Sequence, residues 1–382
     1  MNDPFDTSER RALRDTVRRF VTTDVFPYLS VWEREGELPR SLHERAASLG
    51  LIGLAYPLAV GGGDGDAIDA LTLGEEFHYA GGSSGAFASL FTSGISLPHL
   101  IAAGSPDQIE QWVRPTLEGR LIGSLAITEP DGGSDVAGLR TTAKWDGDEY
   151  VVNGSKTYIT SGVRADFVVT AVRTGDAGAH GLSLLVIEKG TPGFTVSRKL
   201  EKMGWLCSDT AELSYADVRV PAANLIGVEN AGFAQIAQNF VSERIGLAVQ
   251  SYACGQRALD LTVQWCRKRE TFGKPLISRQ AVQNTLTEMA RRIEVARVYT
   301  RSVAVRALTE PNLVREACFA KNTAVEAGMF AVDQAVQLHG GMGYMRKAEV
   351  ERQYRDMRIM GIGGGTDEIL TGLAAKTLGY HV

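Results

Sequence analysis

The segment Ala126-Ile127-Thr128-Glu129-Pro130-Asp131-Gly132-Gly133-Ser134-Asp135-Val136-Ala137-Gly138 is the part of this sequence with the most chemical potential. An apolar run there enters a glycine-rich turn. Such a turn offers unobstructed backbone N–H groups and several short polar side chains, a set able to hold the polar atoms of a ligand. Taken alone it also reads as an ordinary Asx/Gly turn. Arg269, in Arg267-Lys268-Arg269-Glu270-Thr271-Phe272-Gly273-Lys274, could make bidentate phosphate contacts, and the glycines of Gln337-Leu338-His339-Gly340-Gly341-Met342-Gly343-Tyr344 would let backbone approach a diphosphate. Taken singly, these read as a solvated arginine and a helix C-cap. Other chemistries find less support. Gly81-Gly82-Ser83-Ser84-Gly85 matches the G-x-S-x-G nucleophile elbow, but the elbow needs a preceding strand and Asp69 to Tyr79 reads as helix. The histidines (His43, His78, His99, His180, His339, His381) form no H-x-x-x-H and no His/Cys pairing, so no metal site is expected. G-x-G-x-x-G fails at Arg346 after Gly341 and at Thr366 after Gly361, which argues against a nicotinamide Rossmann domain.

The elements that must position these segments fall into three blocks. From Ser8 to about Leu121 the pattern is helical: Leu13, Val17 and Phe20 share one face, Ser8 is a candidate cap, and Arg40 to Leu49, Asp66 to Tyr79 and Ser105 to Leu117 follow. From Gly123 to Gly227 strands dominate. Asn153-Gly154, between Glu149–Val152 and Ser155–Thr160, predicts a type I′ hairpin turn. Phe167–Val172, Leu182–Ile187 and Gly193–Val196 add strands. Helices then return over Phe233 to Arg269, Gln280 to Ala307 and Pro311 to Leu338, lengths that suit a four-helix bundle. The expected fold is α+β: an N-terminal α-helical domain (1–122), a small middle β domain (123–230) and a C-terminal four-helix bundle (231–382).

Composition narrows the class further. The 382 residues are 44% apolar and 22% charged, enough to bury a core in two to three domains, and the net charge is −5. No long basic run exists and no stretch holds the ~18 to 20 uninterrupted apolar residues of a membrane span, so neither nucleic acid nor membrane is expected as partner. Cys207, Cys254, Cys266 and Cys318 contain no C-x-x-C pair. With no apolar leader-like run at the N-terminus and acids there early, they read as reduced thiols of a cytoplasmic protein.

In their order along the chain, Thr128–Asp135, Arg267–Lys274, and Gln337–Tyr344 followed by Glu351-Arg352-Gln353-Tyr354-Arg355-Asp356 resemble the acyl-CoA dehydrogenase flavoprotein family. The resemblance covers essentially the whole chain and departs at Lys347, where an acidic residue or Asn is usual. It implies FAD as cofactor and oxidation of an acyl thioester across its α and β carbons. By position, Leu125, Ile127, Thr128, Gly133 and Ser134 resemble the strand and turn that line the flavin. Tyr158-Ile159-Thr160 resembles the family's Trp-Ile-Thr, with Tyr in place of the common Trp and Thr160 placed for flavin N5. Arg269, Thr271, Phe272 and Gln280, with Gln337, Gly340 and Gly341, resemble contacts to the pyrophosphate and adenosine of a neighbouring subunit's FAD, which implies a dimer and usually a dimer of dimers. Thr366 and Glu368 match further cofactor positions, and Ser134 borders the substrate as well.

The resemblance also locates the base. Many members carry a carboxylate in a Glu-Gly-Thr element near the C-terminus, and the matching stretch Ile362-Gly363-Gly364-Gly365-Thr366-Asp367-Glu368 has Gly364 in its place. A branch that includes isovaleryl-CoA and long-chain dehydrogenases places the base on the long helix instead, and Glu243 matches it. Alone, Glu243 beside Arg244 reads as a surface pair; the loss at 364 together with the gain at 243 reverses that reading. Gly246, one turn on, would leave room for substrate. Arg244 is expected to flank the substrate and to hold the Glu243 carboxylate. The backbone N–H of Gly364 would bind the thioester carbonyl like an oxyanion hole. The expected function is dehydrogenation of a saturated acyl-CoA to the trans-2-enoyl-CoA, with electrons passed to an electron-transfer flavoprotein. The alternatives are the same chemistry on a carrier-protein-bound acyl group, direct oxidation by O₂, and a catalytically silent flavoprotein scaffold.

Overall fold

The computed structural model describes residues 3–380; His381, named above, lies outside them. The N-terminal block opens with the helix Ser8–Phe20, whose cap is Thr7 rather than Ser8: the Thr7 hydroxyl accepts from the Arg10 N–H, and Ser8 is already the first helical residue. Asp66 caps Ala67–Tyr79 and Asp69 returns the favour, a complete capping box. Ser83 caps the short helix Ser84–Leu90 by accepting from Ala86 N–H. It follows a helix, not a strand, and so is no nucleophile elbow. Ser84–Ala103 has the length and mean hydropathy (1.4) of a span, but it breaks at Phe91 and Thr92 into two helices, and half of it is buried within the chain.

The middle block is one seven-stranded sheet of β1 (Gly123–Ala126), β2 (Thr142–Asp146), β3 (Glu149–Thr160), β4 (Phe167–Arg173), β5 (Leu182–Glu188), β6 (Phe194–Lys199) and β7 (Thr210–Pro221). The order is β1-β4-β2-β3-β7-β6, with β5 antiparallel on β4 and β1 parallel to it. The hairpin expected at Asn153-Gly154 does not exist. β3 runs straight through, because β7 pairs with it on both sides of these two residues, and the register slips between Val152 and Gly154. Gly154 (φ 147°) lies so close to Thr141 that a Cβ would meet its Oγ1 at 2.6 Å, and the Asn153 amide exchanges hydrogen bonds with Asp217. These residues form a bulge, not a turn. The real hairpin is Gly147-Asp148, which joins β2 to β3 with Asp146 paired to Glu149.

The C-terminal block packs Gly232–Lys268, a helix of 37 residues, against Gln280–Ala307 and Val314–His339, with the short Glu349–Met357 and Asp367–Thr377 completing it. The third long helix starts three residues later than Pro311 predicts. Its apolar face is mostly alanine (Ala317, Ala320, Ala324, Ala327, Ala331), which allows close approach to the long helix. The blocks are tied together by polar contacts, several of them buried. Asp356 accepts from the backbone N–H of Trp205 at 2.7 Å, and Asp166 accepts from the Arg40 guanidinium and from Ile122 N–H. Glu75, fully buried, accepts from Arg14, Arg301 and Tyr252.

Candidate active site

The strand end and the aromatic segment meet. Thr157 N–H donates to the Thr128 carbonyl (2.9 Å), Ser124 Oγ donates to the Thr160 carbonyl (2.6 Å), and Lys156 Nζ donates to the Ile127 carbonyl (2.9 Å). Leu125, Ile127 and Thr128 are therefore fixed beside Tyr158, Ile159 and Thr160. Between Lys156 and Ile159 the pairing with β7 slips again, and Tyr158 sits in that slip at φ 59°. A left-handed tyrosine is strained. Here it turns the ring outward, 70% exposed, from a strand whose flanking residues Thr157 and Ile159 are buried. Gly133 and Ser134 lie exposed in the turn, and a Cβ at Gly132 would meet nothing within 4 Å.

What holds this turn was not foreseen from sequence. Lys156 is fully buried and pairs with Glu129 at 2.9 Å; burial pushes its ammonium down to about 8, against the pull of Glu129. Glu129 also accepts from the backbone N–H groups of Arg140 (2.6 Å) and Thr141 (2.8 Å), so one carboxylate closes the loop from both ends. The available signal was a lysine standing at an inward position of an alternating strand.

The second cluster joins the long helix to the C-terminal turn. Gly364 has φ 65°, and a Cβ there would lie 2.3 Å from Leu247 Cδ1 and 3.5 Å from Glu243 Oε1. The structure thus brings together Glu243, Leu247 and Gly364, which are far apart in sequence. Glu243 and Leu247 share a helix face at i, i+4, and Leu247 occupies the volume that a residue-364 side chain would need. A Cβ at Gly246 would meet nothing within 4 Å, so open space adjoins the carboxylate. Burial raises the Glu243 carboxyl above its ordinary value of 4.5, with Arg244 and Lys321 pulling the other way.

Arg244 does not hold Glu243: among the described residues no ion pair joins them. Adjacent helical residues point about 100° apart, and the Arg244 guanidinium turns back one turn to lie 5.0 Å over the Phe240 ring. Its Nε is buried without a partner. Thr366 caps the helix Asp367–Thr377 through its hydroxyl, and Glu368 is exposed in the first turn.

The third cluster lies at the other end of the long helix. Trp265 donates from Nε1 to the Leu338 carbonyl and stacks on His339 at 5.1 Å, bringing Arg269, Thr271 and Phe272 toward Gln337, Gly340 and Gly341. Phe272-Gly273 forms a tight turn at φ 51° and 72°, leaving the Phe272 ring 95% exposed with Arg279 beside it. Gly340 and Gly341 are open to a Cβ, and Gln280 begins the next helix, exposed. Glu243 and Arg269 are separated by 26 residues of one helix, about 39 Å at 1.5 Å per residue.

These surfaces fit a flavin dinucleotide. An outward aromatic ring on a strained bulge, hydroxyls beside it, and exposed open glycines next to an arginine are what a bound FAD would cover. The comparisons agree. The N-terminal, middle and C-terminal domains described for the acyl-CoA dehydrogenases match residues 7–120, 124–218 and 230–379. The rat mitochondrial long-chain specific acyl-CoA dehydrogenase is 37% identical over 97% of this chain and 87% of its own length. A solved Mycobacterium smegmatis chain, itself assigned provisionally as an acyl-CoA dehydrogenase, is 66% identical with a TM-score of 0.98 over 99% of this chain and all of its own. Subunit CarC of the caffeyl-CoA reductase-Etf complex of Acetobacterium woodii is 32% identical over 94% of both chains. The chain belongs to the acyl-CoA dehydrogenase family, FAD flavoproteins that act as oxidoreductases on acyl-CoA thioesters.

Proposed function

We propose that this enzyme dehydrogenates a saturated acyl-CoA across Cα–Cβ to the trans-2-enoyl-CoA, with Glu243 as the base that takes the α-proton. The observation that carries the reading is the 3.5 Å between Glu243 Oε1 and the Cβ position of Gly364. A carboxylate delivered by the helix thus reaches the turn whose own residue has none. Partial burial lifts its basicity toward that of a useful general base, while Arg244 and Lys321 keep it ionisable. FAD, when bound, supplies the acceptor for the β-hydride. Thr128, Ser134 and Thr160 would offer it hydroxyls, Tyr158 would cover it, and Leu125, Ile127, Gly133 and Ile159 would shape its bed. Gly364 N–H would bind the thioester carbonyl and acidify the α carbon. Arg244, whose buried Nε has no partner, is the proposed flank of the substrate site.

Arg269, Thr271, Phe272, Gln280, Gln337, Gly340 and Gly341 would serve the FAD of a second copy, a reading supported by the length of helix between Glu243 and Arg269. The working form is then a homodimer, paired into a tetramer. An electron-transfer flavoprotein is the proposed electron acceptor, in line with the Etf complex to which the CarC relative belongs. A cytoplasmic setting accords with four buried, unpaired cysteines.

The test is an anaerobic titration of the holoenzyme with saturated acyl-CoAs of varied length and branching, followed by the visible flavin absorbance. Wild type should bleach and Glu243→Gln should not. Bleaching in both would remove Glu243 from the role. No bleaching in either, with the same acyl groups on a carrier protein succeeding, would reassign the substrate carrier.

A further inference from the structure

Lys321 is fully buried on the helix Val314–His339, and the chemistry proposed above makes no direct use of it. Its Nζ donates to the Gly365 carbonyl at 2.7 Å and stands 3.7 Å from Asp367 Oδ1. The next residue, Asn322, donates from Nδ2 to the Asp367 carbonyl at 3.0 Å and to Thr371 Oγ1 at 3.2 Å. One helical turn thus grips the Gly365 carbonyl, in the glycine turn that contains Gly364, and the Asp367 carbonyl at the start of the helix that follows. The grip matters because Gly364 and Gly365 are both left-handed (φ 65° and 95°), and such a glycine pair has little conformational preference of its own.

A buried ammonium needs compensating charge. The groups that face Lys321 are Asp367 from the following helix and Glu243 from the long helix, which attract it, and Arg244 from the long helix, which repels it. Glu243 faces Arg244 and Lys321, and Asp367 faces Lys321, Glu368 and Arg358. Lys321 Nζ thus lies 3.7 Å from the half-exposed Asp367 carboxylate, and its charge and that of Glu243 act on each other.

We propose that Lys321 is a positioning residue of this active site: through the Gly365 carbonyl it fixes Gly364 against Glu243, and its ammonium, shared with Asp367, is a fixed positive charge for the base. The inference rests on Glu243 being the base. It predicts that Lys321 and Asp367 tune the same proton-transfer step in opposite directions. Without the lysine charge, the Glu243 carboxyl holds its proton to higher pH. With Asp367 neutralised, the lysine charge acts on Glu243 uncompensated and the proton leaves at lower pH.

The experiment is the rate of anaerobic flavin bleaching by the best saturated acyl-CoA, measured for holoenzymes as a function of pH across the acid limb of the profile. Lys321→Met should move the acid limb up by about one pH unit, close to tenfold slower at a fixed pH on the limb. Lys321→Arg should restore it, and Asp367→Asn should move it down. FAD content per chain and melting temperature are read alongside. Limbs that coincide with wild type, or that move the same way in Lys321→Met and Asp367→Asn, overturn the proposal, as does a loss of FAD content in Lys321→Met with an unmoved limb, which would mark a merely structural lysine. If Lys321→Met does not fold, the Asp367→Asn limb decides. Bleaching by Glu243→Gln would instead overturn the base assignment, a separate result.

Discussion

Adding a single methyl group at residue 364 tests the interlock on which the site is built. In Gly364→Ala the new Cβ must sit on a backbone at φ 65°, which disfavours an L side chain by about 1–2 kcal/mol. It also falls 2.3 Å from Leu247 Cδ1, far inside contact distance, so Leu247 has to leave its rotamer. Overpacking of this kind costs about 1–3 kcal/mol. The expected loss of stability is therefore about 2–5 kcal/mol, of which only the packing part is recoverable. Leu247→Ala in the same chain should recover that part, so the double variant should be more stable than the sum of the two singles by about 1–3 kcal/mol. Gly363→Ala is the control: its Cβ would first meet Ile359 O at 3.6 Å, an ordinary contact, at an ordinary φ. That variant should change stability by no more than about 0.5 kcal/mol. Urea unfolding of wild type and the four variants with FAD bound gives all the numbers. Strict additivity of Gly364→Ala and Leu247→Ala, or a Gly363→Ala as damaged as Gly364→Ala, would show that the two side-chain positions do not compete for one volume.

Two further outcomes follow from the buried charges. Burial raises the Glu243 carboxyl above 4.5, so between pH 4.5 and that raised value the native chain keeps a proton that the unfolded chain has released, and stability falls as pH rises through the window. Glu243→Gln should therefore be more stable than wild type at neutral pH, by about 1.4 kcal/mol for each pH unit that the window spans, with the difference closing below pH 4.5 in paired melting curves. Lys156→Met strands Glu129 in the flavin turn, which should destabilise the chain by about 3–5 kcal/mol and lower the FAD retained after gel filtration, whereas the exposed Lys144 on β2, changed the same way, should alter neither.

The long elements were legible because hydrophobic periodicity survives over many turns. Phe233 to Arg269 was readable to within a residue of Gly232–Lys268, and Gln280–Ala307 was readable at both ends. Local turn chemistry misled where tertiary pairing overrode it. Asn153-Gly154 has the composition of a hairpin turn, yet the neighbouring strand β7 offers partners on both sides of it, and a bulge satisfies more backbone than a turn would. Asp146-Gly147-Asp148, at the true turn, carries a turn signal of the same kind. In the site, the paired change at 243 and 364 was visible as a swap of residue types, and the structure brings those two positions together. Lys156 and Lys321 were harder to read: Lys156 stands at an inward position of an alternating strand, but the partners that permit its burial, Glu129 and the Ile127 carbonyl, are distant in sequence. The neighbours of Lys321 on its own helix, Ala317, Ala320 and Ala324, were the one available sign.

The fit of Leu247 against Gly364 also constrains which substitutions the site can accept. The leucine on the facing helix fills the volume that a side chain at 364 would need. Returning the carboxylate to the turn would require a smaller residue at 247, a side chain on a left-handed backbone and the removal of Glu243. Each of these changes made singly leaves a clash, a void, two like charges a few ångströms apart, or no base at all. With Glu243 read as the base, no single substitution moves that role from the helix to the turn, because the packing of Leu247 against Gly364 holds the two positions to one arrangement.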